Sequence, residues 1–310
     1  MVQQFSNILF VTHAIKDEAE VLGQTIKLAH DNKAKLSILV ICPSFPDSLN
    51  DYRASYEEAL IDKMQQSIKN AKSLYKLDKN LLSIPIEIHC CSMPDIHIIR
   101  HVIRHNNDLL IKEVETTAKG FKALDMELLS KCPCTLFLYR PFKHKQKNIH
   151  VGVAIDPETE SEAAEDLGLR LLNTANALTK HYQGSLSIIS CWNFALESYL
   201  RDSVWLKMPQ EELDRILQEE EQAHLSLLQS LIQKSQVSND YSIAHLKGEP
   251  EELIPSAVTT KKIDILVMGT VARTGIAGFI IGNTAENILQ KLDCSLLALK
   301  PHGFISPVKI

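Results

Sequence analysis

The residues best equipped for chemistry gather after the apolar run Ile265-Leu266-Val267-Met268. There the chain continues Gly269-Thr270-Val271-Ala272-Arg273-Thr274-Gly275-Ile276-Ala277-Gly278 and closes on Gly282-Asn283-Thr284. A glycine-bearing loop between a strand and a helix aims backbone amides at one point, and the helix N-terminus adds partial positive charge. That combination suits an anion, with Arg273 and Thr274 beside the glycines to pair with it. Asp156 directly follows another short apolar run, Val151 to Ile155. A carboxylate at a strand end on the same sheet edge can accept hydrogen bonds from a nucleoside. Asn283 followed three residues later by Glu286 is also a capping-box-like helix start, which explains that pair by folding alone.

Other constellations are weaker. His97, His101 and His105 recur every four residues on one predicted helix, a spacing that can place imidazoles on one metal. Arg100 and Arg104 share that helix, and no Cys or carboxylate completes the set at zinc-motif spacing, so no metal is expected. His89 and His245, at equivalent strand ends, read as internal hydrogen-bonding residues. There is no GxSxG elbow, GxxxxGK[ST] phosphate loop, GxGxxG turn or HExxH helix, and no base and nucleophile pair is legible, so catalytic residues are not assigned. Trp192, Phe194, Leu196, Tyr199, Leu200, Trp205 and Met208 are too apolar for an ordinary exposed loop, and they read as a packing surface or the lining of a small-molecule pocket.

The elements that must position these residues are written twice. The first half runs through Ile8-Leu9-Phe10-Val11, a helix with Leu22, Ile26 and Ala29 on one face, Leu36 to Ile41, a long helical stretch around Tyr56 to Tyr75, Ile84 to Ile88, a helix from about Asp95, Leu109-Leu110-Ile111, another helix, and Thr135 to Leu138. The second half repeats the order: Val151 to Ile155, a helix with Ala164, Leu167, Leu171, Ala175 and Leu178, Leu186 to Ile189, a long helix with Leu213, Leu217, Leu227 and Leu231, Ser242 to Ala244, a helix near Glu251, Ile265 to Met268, a final helix, and Ser295 to Leu299. Local matches support the alignment: His89 with His245, Pro94 with Pro250, and Asp108-Leu109-Leu110 with Asp264-Ile265-Leu266. Short apolar strands separated by amphipathic helices predict parallel sheets covered on both faces, so each half is a doubly wound α/β domain with a five-stranded sheet. Ligands of such sheets sit beyond the carboxyl ends of the strands, where strand order reverses.

Length and composition agree. A chain of 310 residues is long enough for two cores, and 45% hydrophobic with 23% charged residues is a globular composition. With 33 basic and 38 acidic residues well mixed, the net charge of −5 lacks the basic bias of a nucleic-acid or anionic-membrane binder, so neither nucleic acid nor membrane insertion is expected. The seven cysteines are scattered with no CxxC pair, and the opening Met-Val-Gln-Gln-Phe has no leader character, so the cysteines read as buried thiols in a reducing cytoplasm. Tyr139 to Asn148 is basic, contains a proline, and reads as a solvated linker.

Taken together, the stretch Val267 to Ile276, the sequence Gly282-Asn283-Thr284-Ala285-Glu286 and the closing Leu297-Ala298-Leu299-Lys300-Pro301 resemble the tandem members of the universal stress protein family, and the likeness spans nearly the whole chain. The resemblance implies an adenine nucleotide hydrolase-like fold with domains at 1–142 and 148–302, paired intramolecularly as a pseudo-dimer through Thr135–Leu138 and Ser295–Leu299. A homodimer of chains is left open. In ATP-binding members of the family, a glycine, a second glycine three residues on, a third glycine and a following Ser or Thr hold the phosphates, with an Asp ending the first strand. Gly269, Gly282 and Asp156 match, Ala272 replaces the second glycine, and Asn283 stands at the Ser/Thr position with Thr284 beside it. The implied ligand is ATP, another adenine nucleotide or another anion in the second half. In the first half His13 replaces the aspartate and Lys112-Glu113-Val114-Glu115 replaces the glycine start, so that half is expected to pair with the second or hold something else. The resemblance implies a non-enzymatic stress-response protein. The rivals are an ATP-hydrolysing enzyme and a carrier or sensor of an apolar molecule.

Overall fold

A computed structural model of the chain describes residues 4–16, 18–78, 83–115, 118–142, 148–158, 161–202, 208–237, 240–270 and 281–309. Strands and helices alternate through the first half as β1 (Asn7–Thr12), α1 (Ala19–Asn32), β2 (Lys35–Cys42), α2 (Asn50–Leu74), β3 (Ile86–Cys90), α3 (Pro94–His105), β4 (Leu109–Glu113), α4 (Ala123–Lys131) and β5 (Thr135–Tyr139). The second half repeats them as β6 (His150–Ala154), α5 (Glu162–Tyr182), β7 (Ser185–Trp192), α6 (Glu197–Asp202), α7 (Gln210–Lys234), β8 (Tyr241–Lys247), α8 (Pro250–Thr260), β9 (Ile265–Gly269), α9 (Asn283–Lys291) and β10 (Ser295–Leu299). Among the described residues no helix is long and apolar enough to cross a membrane.

The duplicated residues do duplicated work. Asp108 accepts the Asn7 amide at 3.0 Å, and Asp264 accepts the His150 amide at 2.8 Å, so each pins the start of the first strand of its own half. Pro94 and Pro250 each open a helix, where a missing N–H costs nothing. Helix α5 starts at Ser161, whose hydroxyl accepts the Ala164 amide at 3.3 Å. It stops at Gln183 in the left-handed conformation, with φ of 51°. The next residue must be glycine, because a Cβ on Gly184 would lie 1.8 Å from the Ile149 carbonyl oxygen.

The chain divides into two compact units. The first holds Met1–Lys145 together with Thr270–Gly282 and Asp293–Ile310, and the second holds Gln146–Gly269 with Asn283–Leu292. In the first, strands run in the order β3-β2-β1-β4-β5-β10, with β1 to β5 parallel. Strand β10 pairs antiparallel to β5, with Leu297 opposite Phe137 and Leu296 opposite Leu138. The last strand of the second repeat therefore belongs with the first unit: all five of its residues are buried, and the β5 edge supplies their ladder. In the second unit the order is β9-β6-β7-β8, all parallel. Strand order reverses between β1 and β4, and again between β6 and β9. The α/β, doubly wound class expected from the repeats is the one observed, and strands such as Ile8–Thr12 and Leu36–Cys42 carry the buried, near-continuous apolar runs of a sheet covered on both faces.

The basic stretch read as a solvated linker is corrected at its start. Tyr139 ends β5 and is buried; so is Arg140, which donates to the Ala118 and Gly120 carbonyls and lies 5.2 Å from the Phe121 ring. The two terminal guanidinium nitrogens thus find carbonyl acceptors, and the plane faces an aromatic ring. Residues 143–147 lie outside the described residues.

Candidate functional site

The register of the second sheet fixes the central pair. Val153 of β6 stands beside Val267 of β9, so two residues further along the parallel strands Ile155 and Gly269 reach the carboxyl rim together, with Asp156 next. Asp156 is exposed, and its Oδ1 accepts the Glu158 amide at 3.1 Å in an Asx-type turn. Gly269 is half-buried, and a Cβ there would come within 3.3 Å of Leu167 Cδ2 on α5. Close seating of α5 over β9 thus explains this glycine without any ligand.

Thr270 is fully buried, its Oγ1 makes no hydrogen bond, and its carbonyl accepts the Gly282 amide at 3.3 Å. An orphaned buried hydroxyl at the start of a glycine loop is the kind of donor a polar ligand would satisfy. Asn283 and Thr284 are exposed in the first turn of α9, with Glu286 following. Arg273, Thr274, Gly275 and Gly278 lie outside the described residues, as does Ala272.

Behind this rim lies a group that the sequence reading singled out only in part. His224 of α7 and His245 of β8 are joined Nδ1 to Nε2 at 2.9 Å, Trp192 stacks on His245 at 6.0 Å, and Lys247 lies 5.4 Å from the Trp192 ring. The internal hydrogen bond expected for His245 is therefore with His224, whose position inside an apolar helical stripe gave no signal. Burial holds both imidazoles below their ordinary value, opposed for His224 by Glu158 and Asp156 and for His245 by Glu221. Burial also pushes the Cys191 thiol up to about 11, with Asp156 adding to the effect. None of these groups is poised as a nucleophile. Of the apolar stretch, Trp192 is buried while Leu196 and Tyr199 are 55% and 73% exposed; Trp205 lies outside the described residues.

The corresponding rim of the first sheet is filled by charge. Lys112, only 2% exposed, places Nζ 3.0 Å from Asp125 Oδ1 and 3.0 Å from Glu115 Oε1. His13 donates from Nδ1 to the Ile41 carbonyl at 2.9 Å and sets Nε2 3.2 Å from Glu115 Oε1. Lys16 pairs with Glu113, and Thr12 donates to the buried Glu18. Burial raises Asp125 above the ordinary carboxylate value against the pull of Lys112. Burial would also raise Glu115, but Lys112 and His13 outweigh it and hold that carboxyl low. This rim offers a phosphate a row of carboxylates where a glycine cradle would be.

The cysteine reading needs a correction. Cys42 and Cys90, neighbours in the β2–β3 register, are joined by a disulfide with their Cα atoms 4.5 Å apart. Their separation of 48 residues hid the pairing, which only strand register reveals. Cys132 and Cys134 are buried thiols with sulfurs 3.5 Å apart.

Residues 148–300 match the Universal stress protein family. The chain is similar to the Universal stress protein E homolog of Haemophilus influenzae, 24% identical over 96% of this chain and 98% of the relative. It is also similar to Universal stress protein E of Salmonella typhi, 27% identical over 99% and 98%. Among solved structures, a functionally unknown protein from Pseudomonas aeruginosa superposes with a TM-score of 0.72 at 19% identity, covering 96% of this chain and 94% of that one, and shows that the fold is shared.

Proposed function

From the match of residues 148–300 to the Universal stress protein family and the full-length similarity to proteins named Universal stress protein E, we propose that the chain is a non-catalytic stress-response protein of the cytoplasm, whose second unit binds an adenine nucleotide and whose first unit has given up that role. The observation that carries this reading is the β6–β9 register, which brings Ile155 level with Gly269, with Asp156 one residue further, at the carboxyl rim where strand order reverses. Asp156 would hold the ribose hydroxyls. The segment Gly269 to Gly282, with Arg273, Thr274, Gly275 and Gly278, would face the phosphates, and Asn283 and Thr284 would add the donors of the α9 N-terminus. The nucleotide supplies binding energy and a chemical signal, and the absence of an assigned base or nucleophile favours binding over turnover. Pairing of the two repeats through their last strands belongs to the same proposal, supported by the antiparallel β5–β10 ladder.

Equilibrium dialysis of the full chain against ATP tests it. Saturable binding of one nucleotide, weakened at least about tenfold by Asp156→Ala with folding intact, is expected. Binding unchanged by that substitution overturns the site, and steady ATP hydrolysis lost in Asp156→Ala replaces the reading with the enzyme one.

A further inference from the structure

The first unit carries a second cluster of chemistry-bearing side chains, on the opposite side of its sheet order from β10. Glu87 sits on β3, the strand at the end of that order, and His101 and His105 sit one turn apart on α3. His101 is 6% exposed, and neither of its ring nitrogens makes a hydrogen bond. Leaving a buried polar group unpaired costs about 1–3 kcal/mol, so such an imidazole calls for a partner. Its Nε2 lies 3.5 Å from Glu87 Oε2, and the His105 ring lies 4.1 Å from its own. His105 donates from Nδ1 to the His101 carbonyl at 3.2 Å, which fixes its tautomer and leaves the lone pair on Nε2. One donor atom from each of the three residues lies within 4.8 Å of the other two.

The geometry points to a single transition-metal site of the zinc(II) class, held by Glu87, His101 and His105. At bond lengths of about 2.0–2.1 Å, donors of one tetrahedral ion sit roughly 3.3 Å apart, so the His101–Glu87 separation is already right and His105 closes by a small side-chain movement. Two imidazoles and one carboxylate select zinc and its neighbours over magnesium or calcium, which prefer oxygen alone. A cavity of about 590 Å³ opens beside the three residues, with Lys35 and Ser37 on its wall, so the fourth position faces water or a small anionic ligand. His89 Nε2 lies 3.9 Å from the same Glu87 oxygen. His97 stays out of the set, its ring 6.0 Å from that of His89. The helix read by itself offered no carboxylate at zinc-motif spacing because the one within reach of its histidines, Glu87, lies on another element, β3.

Zinc(II) titration of the full chain by calorimetry tests the site, with cobalt(II) as a spectroscopic probe. One equivalent is expected, with d–d bands and no thiolate charge-transfer band. His105→Ala and Glu87→Gln, both at solvent-exposed positions, should each weaken binding by at least about tenfold, and the double variant should abolish the equivalent. Uptake by the wild type no greater than by the double variant, or a thiolate spectrum, overturns the proposal. Should Glu87→Gln fail to fold, His105→Ala decides alone.

Discussion

Lys112 and Asp125 show what a single pair can do to a binding rim. Both are essentially buried, and Asp125 keeps Oδ2 without a hydrogen bond, so the pair has no solvent to fall back on. Removing one partner strands the other charge, whereas removing both leaves an apolar hole that can repack. Lys112→Met should therefore cost about 3–5 kcal/mol in urea unfolding, and Lys112→Met with Asp125→Leu should recover most of that loss. A double variant no more stable than the single would show that the pair is not the unit that holds this rim. The signal in the sequence was negative: Lys112-Glu113-Val114-Glu115 could be seen to lack glycine, but not to form a network with His13 a hundred residues earlier.

At the scale of elements, the join between α4 and the segment after β10 carries a titratable strain. Lys300 follows β10, is buried, donates to the Leu129 carbonyl on α4, and lies 4.7 Å from the Phe304 ring. Burial pushes its ammonium from the ordinary 10.5 down to about 8, with the Cys132 and Cys134 thiols opposing. A base with a lowered folded pKa destabilises the fold while it is charged. The penalty is fully present below about 8 and is relieved as pH rises toward 10.5, because the unfolded chain then binds more protons than the folded one. Lys300→Met should therefore be more stable than wild type below pH 8, by on the order of 3 kcal/mol, and the advantage should vanish by pH 10.5. A pH-independent difference would assign the effect to packing.

For the whole molecule, the placement of β10 matters most. The strand is encoded at the end of the second repeat yet completes the sheet of the first, so residues 1–142 expressed alone leave β5 with an open apolar edge. That fragment should elute as a dimer or larger species in size-exclusion chromatography, and a stable monomer would show that β5 needs no partner. The duplicated order of elements was legible in the sequence because periodicity is local: alternating apolar runs and helical stripes, with Asp108 and Asp264 pinning matching strands, are written residue by residue. Asp156 and Gly269 were legible as a pair because parallel topology sends strand ends to one rim. What only the tertiary structure decided depends on register and on contacts between distant elements: the Cys42–Cys90 bond, the His224–His245 pair, the ion network at His13 and Lys112, and the meeting of Glu87 with His101 and His105. Side chains brought together across strands and helices leave no periodic trace in one chain, since each element can satisfy its own pattern whichever neighbour it meets.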